Sequence, residues 1–121
     1  MLVLLLPKPI RFNKGKFIHL LSAEDQNTAS TIHNSIVRAQ FIAGRLLLKE
    51  SIYVFNQGKR INDVIFLDSN GKPKFKNSKI KFNISHTREL VACAIGYNDM
   101  GLDIETVDRT AKLPNNLTIK N

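Results

Sequence analysis

The chain has 121 residues, of which 43% are hydrophobic, and a formal net charge of +8. This length allows at most one domain with a packed core, and the hydrophobic content is ordinary for a folded globular protein, so disorder is not the default expectation. The positive charge indicates an anionic partner. Because the sequence has no zinc-finger spacing, RNP aromatics or basic heptads, we do not expect that partner to be nucleic acid.

Residues 1–6 form an apolar run that predicts a first β-strand, which Pro7 ends. The run is too short to span a membrane, and it lacks the basic region of a signal peptide. The single cysteine, Cys93, lies in the apolar run of residues 90–95, which predicts a buried thiol and not a nucleophile. A lone cysteine forms no internal disulfide and is typical of a reducing compartment. We therefore expect a cytoplasmic protein with no membrane partner.

The strongest helical pattern covers residues 29–50. Apolar residues recur there at spacings of three and four and predict one buried stripe, formed by Ile32, Ile36, Ala39, Ala43 and Leu46. Gly44 costs the helix about 1 kcal/mol relative to alanine, so we expect close packing against a neighbour at this position. Before the helix, residues 22–25 (Ser-Ala-Glu-Asp) predict a capped helical turn.

After residue 50 the sequence changes to short β-like runs that are separated by turn residues. The predicted strands cover residues 52–55, 64–67, 80–84, 90–96 and 101–105, with a turn at residues 68–71 (Asp-Ser-Asn-Gly). Residues 106–121 show no pattern. We expect an α+β fold in which one long helix packs on a small antiparallel sheet.

Two polar pairs lie near the last predicted strands. Asp103 and Glu105 are one residue apart, and alternate residues of a strand share a face, which suits a cation such as Mg²⁺. The alternative is two solvated acids, because D-x-E is frequent by chance. Ser85 and His86 follow the strand at residues 80–84 in a predicted turn, where they either face an anion or serve as ordinary turn and surface residues.

Three basic residues are candidates for a phosphate site. Lys72 lies in a Gly-Lys-Pro turn, where Gly71 permits tight backbone geometry and Pro73 fixes the exit of the chain. Arg38 and Arg45 lie on the predicted helix. The residue types alone leave open whether these cations face solvent or bind phosphate.

The order of four short segments is more specific than any one of them. They are A-G-R at residues 43–45, G-K-P at residues 71–73, F-N-I-S-H at residues 82–86 and G-L-D-I-E at residues 101–105. This order resembles the N-terminal half of a 4′-phosphopantetheinyl transferase of the Sfp type. The resemblance covers about residues 36–105 and implies one half of the family's pseudo-twofold fold.

The resemblance implies the activity of a holo-[acyl-carrier-protein] synthase, which moves phosphopantetheine from coenzyme A to a serine of an acyl or peptidyl carrier protein. It implies that Asp103 and Glu105 are the catalytic residues and hold Mg²⁺ on the coenzyme A pyrophosphate. It also implies four residues that bind coenzyme A phosphates: Arg38, Lys72, Ser85 and His86. On the helix, Gln40 stands where the family often has a basic residue.

The second half of such enzymes carries a W-x-x-K-E-A motif, and this sequence contains no tryptophan. We therefore assign residues 1–107 to an N-terminal half and leave residues 108–121 as an unassigned tail. Held by only two protein carboxylates, Mg²⁺ is expected to bind weakly without coenzyme A. The favoured explanation for the missing motif is that the chain is a truncated gene product. The other explanation is that the chain self-associates and builds its sites between subunits. The alternative functions are a non-catalytic coenzyme A or carrier-protein binding module and a basic α+β interaction domain.

Overall fold

The computed structural model describes residues 1–98 with their side chains, and residues 103–106 and 117–120 as backbone. A 3₁₀ turn, Pro9–Asn13, follows the first strand. The helices are α1 (Gly15–Ile18), α2 (Ala23–Thr31) and α3 (Ser35–Phe55). The strands are β1 (Leu2–Pro7), β2 (Ile65–Leu67), β3 (Pro73–Phe75), β4 (Lys81–His86), β5 (Leu90–Gly96), β6 (Asp103–Thr106) and β7 (Leu117–Lys120).

The main sheet has three antiparallel strands in the order β1, β5, β4. Cys93 is opposite Leu4 on one side and opposite Ile84 on the other. Every residue of the central strand β5 is buried, which accounts for its continuous apolar sequence. The short strands β2 and β3 form a separate antiparallel hairpin, and β6 pairs with β7.

Helix α3 covers one face of the main sheet. Its buried residues Ala43, Leu47, Leu48 and Ile52 pack against Val91, Cys93 and Ile95 of β5 and Phe82 of β4. A Cβ atom at Gly44 would lie 3.3 Å from Cγ2 of Ile84, so the close packing predicted at this glycine is confirmed. The long helix on a small antiparallel sheet confirms the predicted α+β class.

The helical boundaries differ from the prediction in two ways. Residues 29–50 are not one helix, because Ile32 adopts an extended conformation that ends α2 and Asn34 begins α3 with its side chain as the cap. The strand predicted at residues 52–55 is wrong, because α3 continues to Phe55 and buries Ile52 in the core. The predicted cap is confirmed, since Ser22 Oγ accepts the N–H of Asp25 at 3.2 Å.

Most predicted strands are confirmed. Strand β1 and the buried β5 lie where expected, and β2 covers residues 65–67 of the predicted run. Strand β4 runs through His86, so the turn predicted at Ser85 and His86 is wrong. Strand β6 covers residues 103–106 of the last predicted run, whose residues 101 and 102 lie outside the described residues. Strand β7 lies in the segment that showed no pattern in the sequence.

Among the helices of the described residues, none combines the length and the apolar character needed to cross a membrane. The division into residues 1–107 and 108–121 stays a prediction.

Candidate functional site

A cleft of about 530 Å³ opens between α2, α3, the β2–β3 hairpin and the end of β4. Three of the four motifs contribute to its wall. Helix α3 contributes Gly44 and Arg45 of A-G-R, the hairpin contributes Pro73 of G-K-P, and β4 contributes Ile84 and His86 of F-N-I-S-H. Segments that are far apart in the sequence therefore meet at one place.

Strand alternation separates Ser85 from His86. His86 lines the cleft on the α3 side of the sheet, and Ile84 packs there with the core. Ser85 is opposite Ala92, which belongs to the cluster on the other face. Because β4 is at the edge of the three-stranded sheet, one ligand can contact both residues only by crossing that edge.

Arg45 is the cation that α3 places in the cleft wall. Its Nε lies 3.3 Å from Oδ1 of Asp25, and the guanidinium is 5.0 Å from the centre of the Phe41 ring. The side chains of the pair are only 13% and 22% exposed. This ion pair links α2 to α3 and fixes the guanidinium in the wall of the cleft.

The structure does not bring Arg38 into the cleft. Its Nε donates to Oδ1 of Asn13 at 2.8 Å, and its Nη1 donates to the carbonyl of Ile32 at 3.5 Å. These bonds direct the guanidinium toward the 3₁₀ turn and the end of α2. The predicted role of Arg38 with coenzyme A stays a prediction, and its observed contacts are structural.

Asp68 holds the backbone of Lys72 in the tip of the hairpin. The Asp68 carboxylate accepts the N–H groups of Asn70 and Lys72 at 2.8 and 3.0 Å and pairs with Lys74 Nζ at 3.3 Å. The hydrogen bond from the Lys72 N–H is the chief reason that the pKa of Asp68 is lowered. The hydrogen bond from the Asn70 N–H and the nearby Lys74 ammonium lower this pKa further. The turn predicted here is confirmed, and Lys72 is exposed next to Pro73 in the cleft wall.

Asp63 anchors the base of the same hairpin. Its carboxylate accepts the N–H groups of Val64, Asn77 and Ser78 at 2.7 to 3.0 Å. Desolvation tends to raise the pKa of Asp63, but these hydrogen bonds together outweigh it and lower the pKa. The hairpin wall is thus fixed at both ends.

Gln40, at the position where the resemblance implies a basic residue, spans from α3 to the end of β4. Its Nε2 donates to the carbonyl of Thr87 at 3.2 Å, and the residue lines the cleft. This bond positions the end of β4, including His86, against the helix. The cleft therefore has a neutral donor at this position of α3.

Asp103 and Glu105 both lie in β6, opposite Lys120 and Thr118 of β7. The strand predicted for them is confirmed, whereas their side chains lie outside the described residues. Backbone positions of β6 come within 8 Å of β4, the strand that carries His86. The candidate metal residues therefore lie on a strand whose backbone approaches β4.

Cys93 is remote from this chemistry. The thiol is buried in the core, as predicted, and burial raises its pKa from the ordinary 9.0 to about 11, while a hydrogen bond with Ser51 opposes this shift. Such a thiol is protonated at neutral pH and is not a nucleophile.

The chain is similar in sequence to a curated enzyme. No protein-family model matches the chain. The chain is 33% identical over 99 residues to the 4′-phosphopantetheinyl transferase HetI of Nostoc sp., and the match covers 77% of this chain. It spans 41% of the length of that curated relative. The similarity supports a relationship to the 4′-phosphopantetheinyl transferase superfamily.

Some residues of the cleft were not predicted from the sequence. Asp25 and Asp63 are brought to the cleft by the capped start of α2 and by the base of the hairpin, which local patterns do not relate. The sequence did indicate Arg45, because it is the basic residue of A-G-R. The pattern did not show whether its side chain faces solvent or a binding site. Only the fold shows that Arg45 lines the cleft and that Arg38 is bonded elsewhere.

Proposed function

We propose that the chain is the N-terminal half of a 4′-phosphopantetheinyl transferase of the Sfp type. Its reaction is the transfer of phosphopantetheine from coenzyme A to a serine of an acyl or peptidyl carrier protein. The observation that carries the proposal is that A-G-R, G-K-P and F-N-I-S-H meet in one cleft. The similarity to HetI, which is named for this activity, supports it.

The cleft has two kinds of surface that suit coenzyme A. The hairpin wall, with Ile65, Leu67 and Pro73, is apolar and suits the uncharged parts of the cofactor. Arg45 and His86 supply donors for phosphate on the opposite side. The net charge of +8 favours the encounter with a polyanion.

Lys72 and Ser85 complete the proposed phosphate contacts. The fixed backbone of Lys72 at the hairpin tip limits where its ammonium can reach, which favours binding over free motion in solvent. One ligand can contact both Ser85 and His86 only at the edge of β4. We therefore propose that the phosphates lie at that edge of β4, the strand that β6 approaches.

Asp103 and Glu105 are the proposed holders of Mg²⁺. Carboxylates are the donors that this ion prefers, so the chemistry of the donor set fits the ion. Their strand comes close to β4, which carries Ser85 and His86. When bound, Mg²⁺ neutralises charge on the pyrophosphate during transfer. The resemblance assigns the remaining acid to the W-x-x-K-E-A motif, and we expect full activity to require a polypeptide that supplies it.

The decisive experiment measures coenzyme A binding to the purified chain by isothermal titration calorimetry in the presence of Mg²⁺. We expect binding that the double variant Lys72→Ala/Asp103→Ala weakens at least about tenfold, because each substitution removes a charged contact with a phosphate or its metal. Lys59→Ala/Glu50→Ala is the matched control, since both residues are exposed, neither lines the cleft and the net charge is unchanged.

Mass spectrometry of an apo carrier protein incubated with the chain, coenzyme A and Mg²⁺ separates enzyme from binding module. A carrier that gains the phosphopantetheine mass establishes transfer by the chain alone. Coenzyme A binding without any transfer, even when a polypeptide that carries the W-x-x-K-E-A motif is added, would favour the non-catalytic module. A chain that binds no coenzyme A would contradict the proposed function.

A further inference from the structure

The outer side of the β2–β3 hairpin combines exposed apolar and basic side chains. We call it the hairpin face and define it by Val64, Phe66, Lys74 and Lys76. Phe66 is directly opposite Lys74, and the N–H of Lys76 donates to the carbonyl of Val64 at 2.9 Å. Val64 is 50% exposed and Phe66 is 44% exposed, and both lysines are exposed.

The inner side of the hairpin holds this face rigidly. Ile65 and Phe75 pack against the core, and the Phe75 ring contacts the Phe82 ring edge-on with centroids 4.9 Å apart. Asp63 fixes the base of the hairpin through backbone N–H groups. A ribbon held this way loses little freedom when a partner binds, so its exposed apolar residues are suited to contact another molecule.

The charges of the hairpin favour an acidic partner. The segment from residue 63 to residue 79 contains four lysines, Lys72, Lys74, Lys76 and Lys79, against two aspartates. The aspartates are engaged by backbone N–H groups and by Lys74. A second copy of the chain would bring a net charge of +8 against +8, which opposes self-association through this face.

The hairpin face also borders the cleft. Leu67 and Pro73, on the inner side of the same ribbon, line the cleft, and Leu67 is 64% exposed at its lip. A protein that must bring a serine to a ligand in the cleft has to lie against a surface that adjoins the opening. The hairpin is such a surface, with apolar and basic residues side by side.

We propose that the hairpin face docks an acidic segment of the carrier protein that exposes apolar residues, with Val64 and Phe66 against its apolar side chains and Lys74 and Lys76 against its carboxylates. The proposal rests on the proposed function, because it names where the protein substrate binds. No member of the hairpin face lines the cleft. Lys74 also pairs with Asp68, which holds the backbone of Lys72, so Phe66 and Lys76 are the members that are separate from the proposed coenzyme A contacts.

The test measures, by calorimetry, the affinity of the chain for an apo acyl carrier protein and for coenzyme A. Lys74→Glu/Lys76→Glu is expected to weaken carrier binding roughly tenfold, because two attractive pairs become repulsive. The variant should also bind the carrier with less sensitivity to salt than the original chain. Phe66→Ser should weaken carrier binding without changing the salt dependence. Phe66→Ser should bind coenzyme A within about twofold of the original chain, within the scatter of distant surface changes.

Lys14→Glu/Lys16→Glu is the matched control, because both lysines are exposed and lie in another part of the chain. Carrier affinity that falls equally in the control and in the hairpin variant would overturn the proposal in favour of a general charge effect. Unchanged carrier affinity in both the lysine variant and Phe66→Ser would also overturn it, while intact coenzyme A binding would leave the proposed function standing. Loss of binding to phosphatidylserine vesicles in the hairpin variants, with carrier binding unaffected, would assign the face to a lipid surface instead.

Discussion

Gly44 determines how closely α3 approaches the strand that carries His86. An added Cβ would meet Cγ2 of Ile84 at 3.3 Å and Cγ1 of Val91 at 4.0 Å. Ile84 has a β-branched side chain with restricted rotamers, so it cannot easily move away. The distance between helix and sheet on this side of the cleft is therefore set by the absence of a side chain at one residue.

We predict that Gly44→Val destabilises the fold by about 1–3 kcal/mol, the usual cost of overpacking a core. Gly44→Ala should cost less, because alanine recovers about 1 kcal/mol of helix propensity against a milder clash. Urea unfolding followed by circular dichroism measures both. Gly15→Ala, with no atom within 4 Å of its added Cβ, is the control and should show no loss. Equal stability of Gly44→Val and the original chain would contradict this account of the helix–strand contact.

At the scale of single elements, α3 depends on its cap. Oδ1 of Asn34 accepts the N–H groups of Ile36 and Val37 at 3.0 and 3.1 Å, so one side chain serves two donors that lack partners within the helix. The cap lies just after the extended residue that ends α2. It therefore divides a continuous helical sequence into two helices.

Asn34→Ala should lower the free energy of unfolding by about 1 kcal/mol, the typical value of an N-cap. Asn34→Asp should retain most of the stability, since a carboxylate accepts the same bonds and suits a helix start. Chemical denaturation of the two variants tests the expectation. An alanine variant as stable as the aspartate variant would show that tertiary packing alone positions the start of α3.

The long, strongly patterned elements of the fold were predictable from the sequence. Buried β5 and the body of α3 carry continuous apolar runs or clear periodicity, and both elements were confirmed. The predicted apolar stripe was right only in part, because Ala39 and Ala43 are buried but Ile32, Ile36 and Leu46 are half-buried. The end of α3 was not, because β-branched and aromatic residues at positions 52–55 favour strands locally, whereas burial of Ile52 in the core favours the helix. Local preference lost to tertiary packing there.

The candidate site was predictable only in part. The order of the motifs identified His86 and the G-K-P turn, and the fold brings both to one cleft. The sequence could not show that Ser85 and His86 lie on opposite faces, because a predicted turn has no alternation, whereas the observed strand does. Nor could it distinguish Arg38 from Arg45, since their separation depends on contacts with Asn13 and Asp25, which are remote in sequence.

At the scale of the whole molecule, one core supports both the fold and the cleft. Cys93 lies at its centre, on the strand between β1 and β4 and beneath α3, with no exposed surface. Its thiol can ionise without penalty only when water reaches it, which requires the sheet and the helix to separate. The ionisation of the Cys93 thiol is therefore coupled to the unfolding of the whole sheet and helix.

This linkage predicts how stability changes in alkaline solution. The pKa of the Cys93 thiol is about 11 in the folded chain and 9.0 in the unfolded one, because burial disfavours the thiolate. Below pH 9 the thiol is protonated in both states and the full stability is present. Between pH 9 and pH 11 the unfolded state loses the proton first, so this group lowers the free energy of unfolding by up to about 3 kcal/mol.

The measurement compares urea unfolding of the original chain and of Cys93→Ala at several values of pH from 8 to 11. The alanine variant should be less stable at pH 8, because it leaves a small cavity, yet its stability should fall less steeply as the pH rises. Because the two chains differ only at residue 93, the other effects of pH on stability cancel from the difference. If the two stability curves stay parallel up to pH 11, the thiol has the same pKa in both states, and Cys93 would have to be accessible to water in the folded chain.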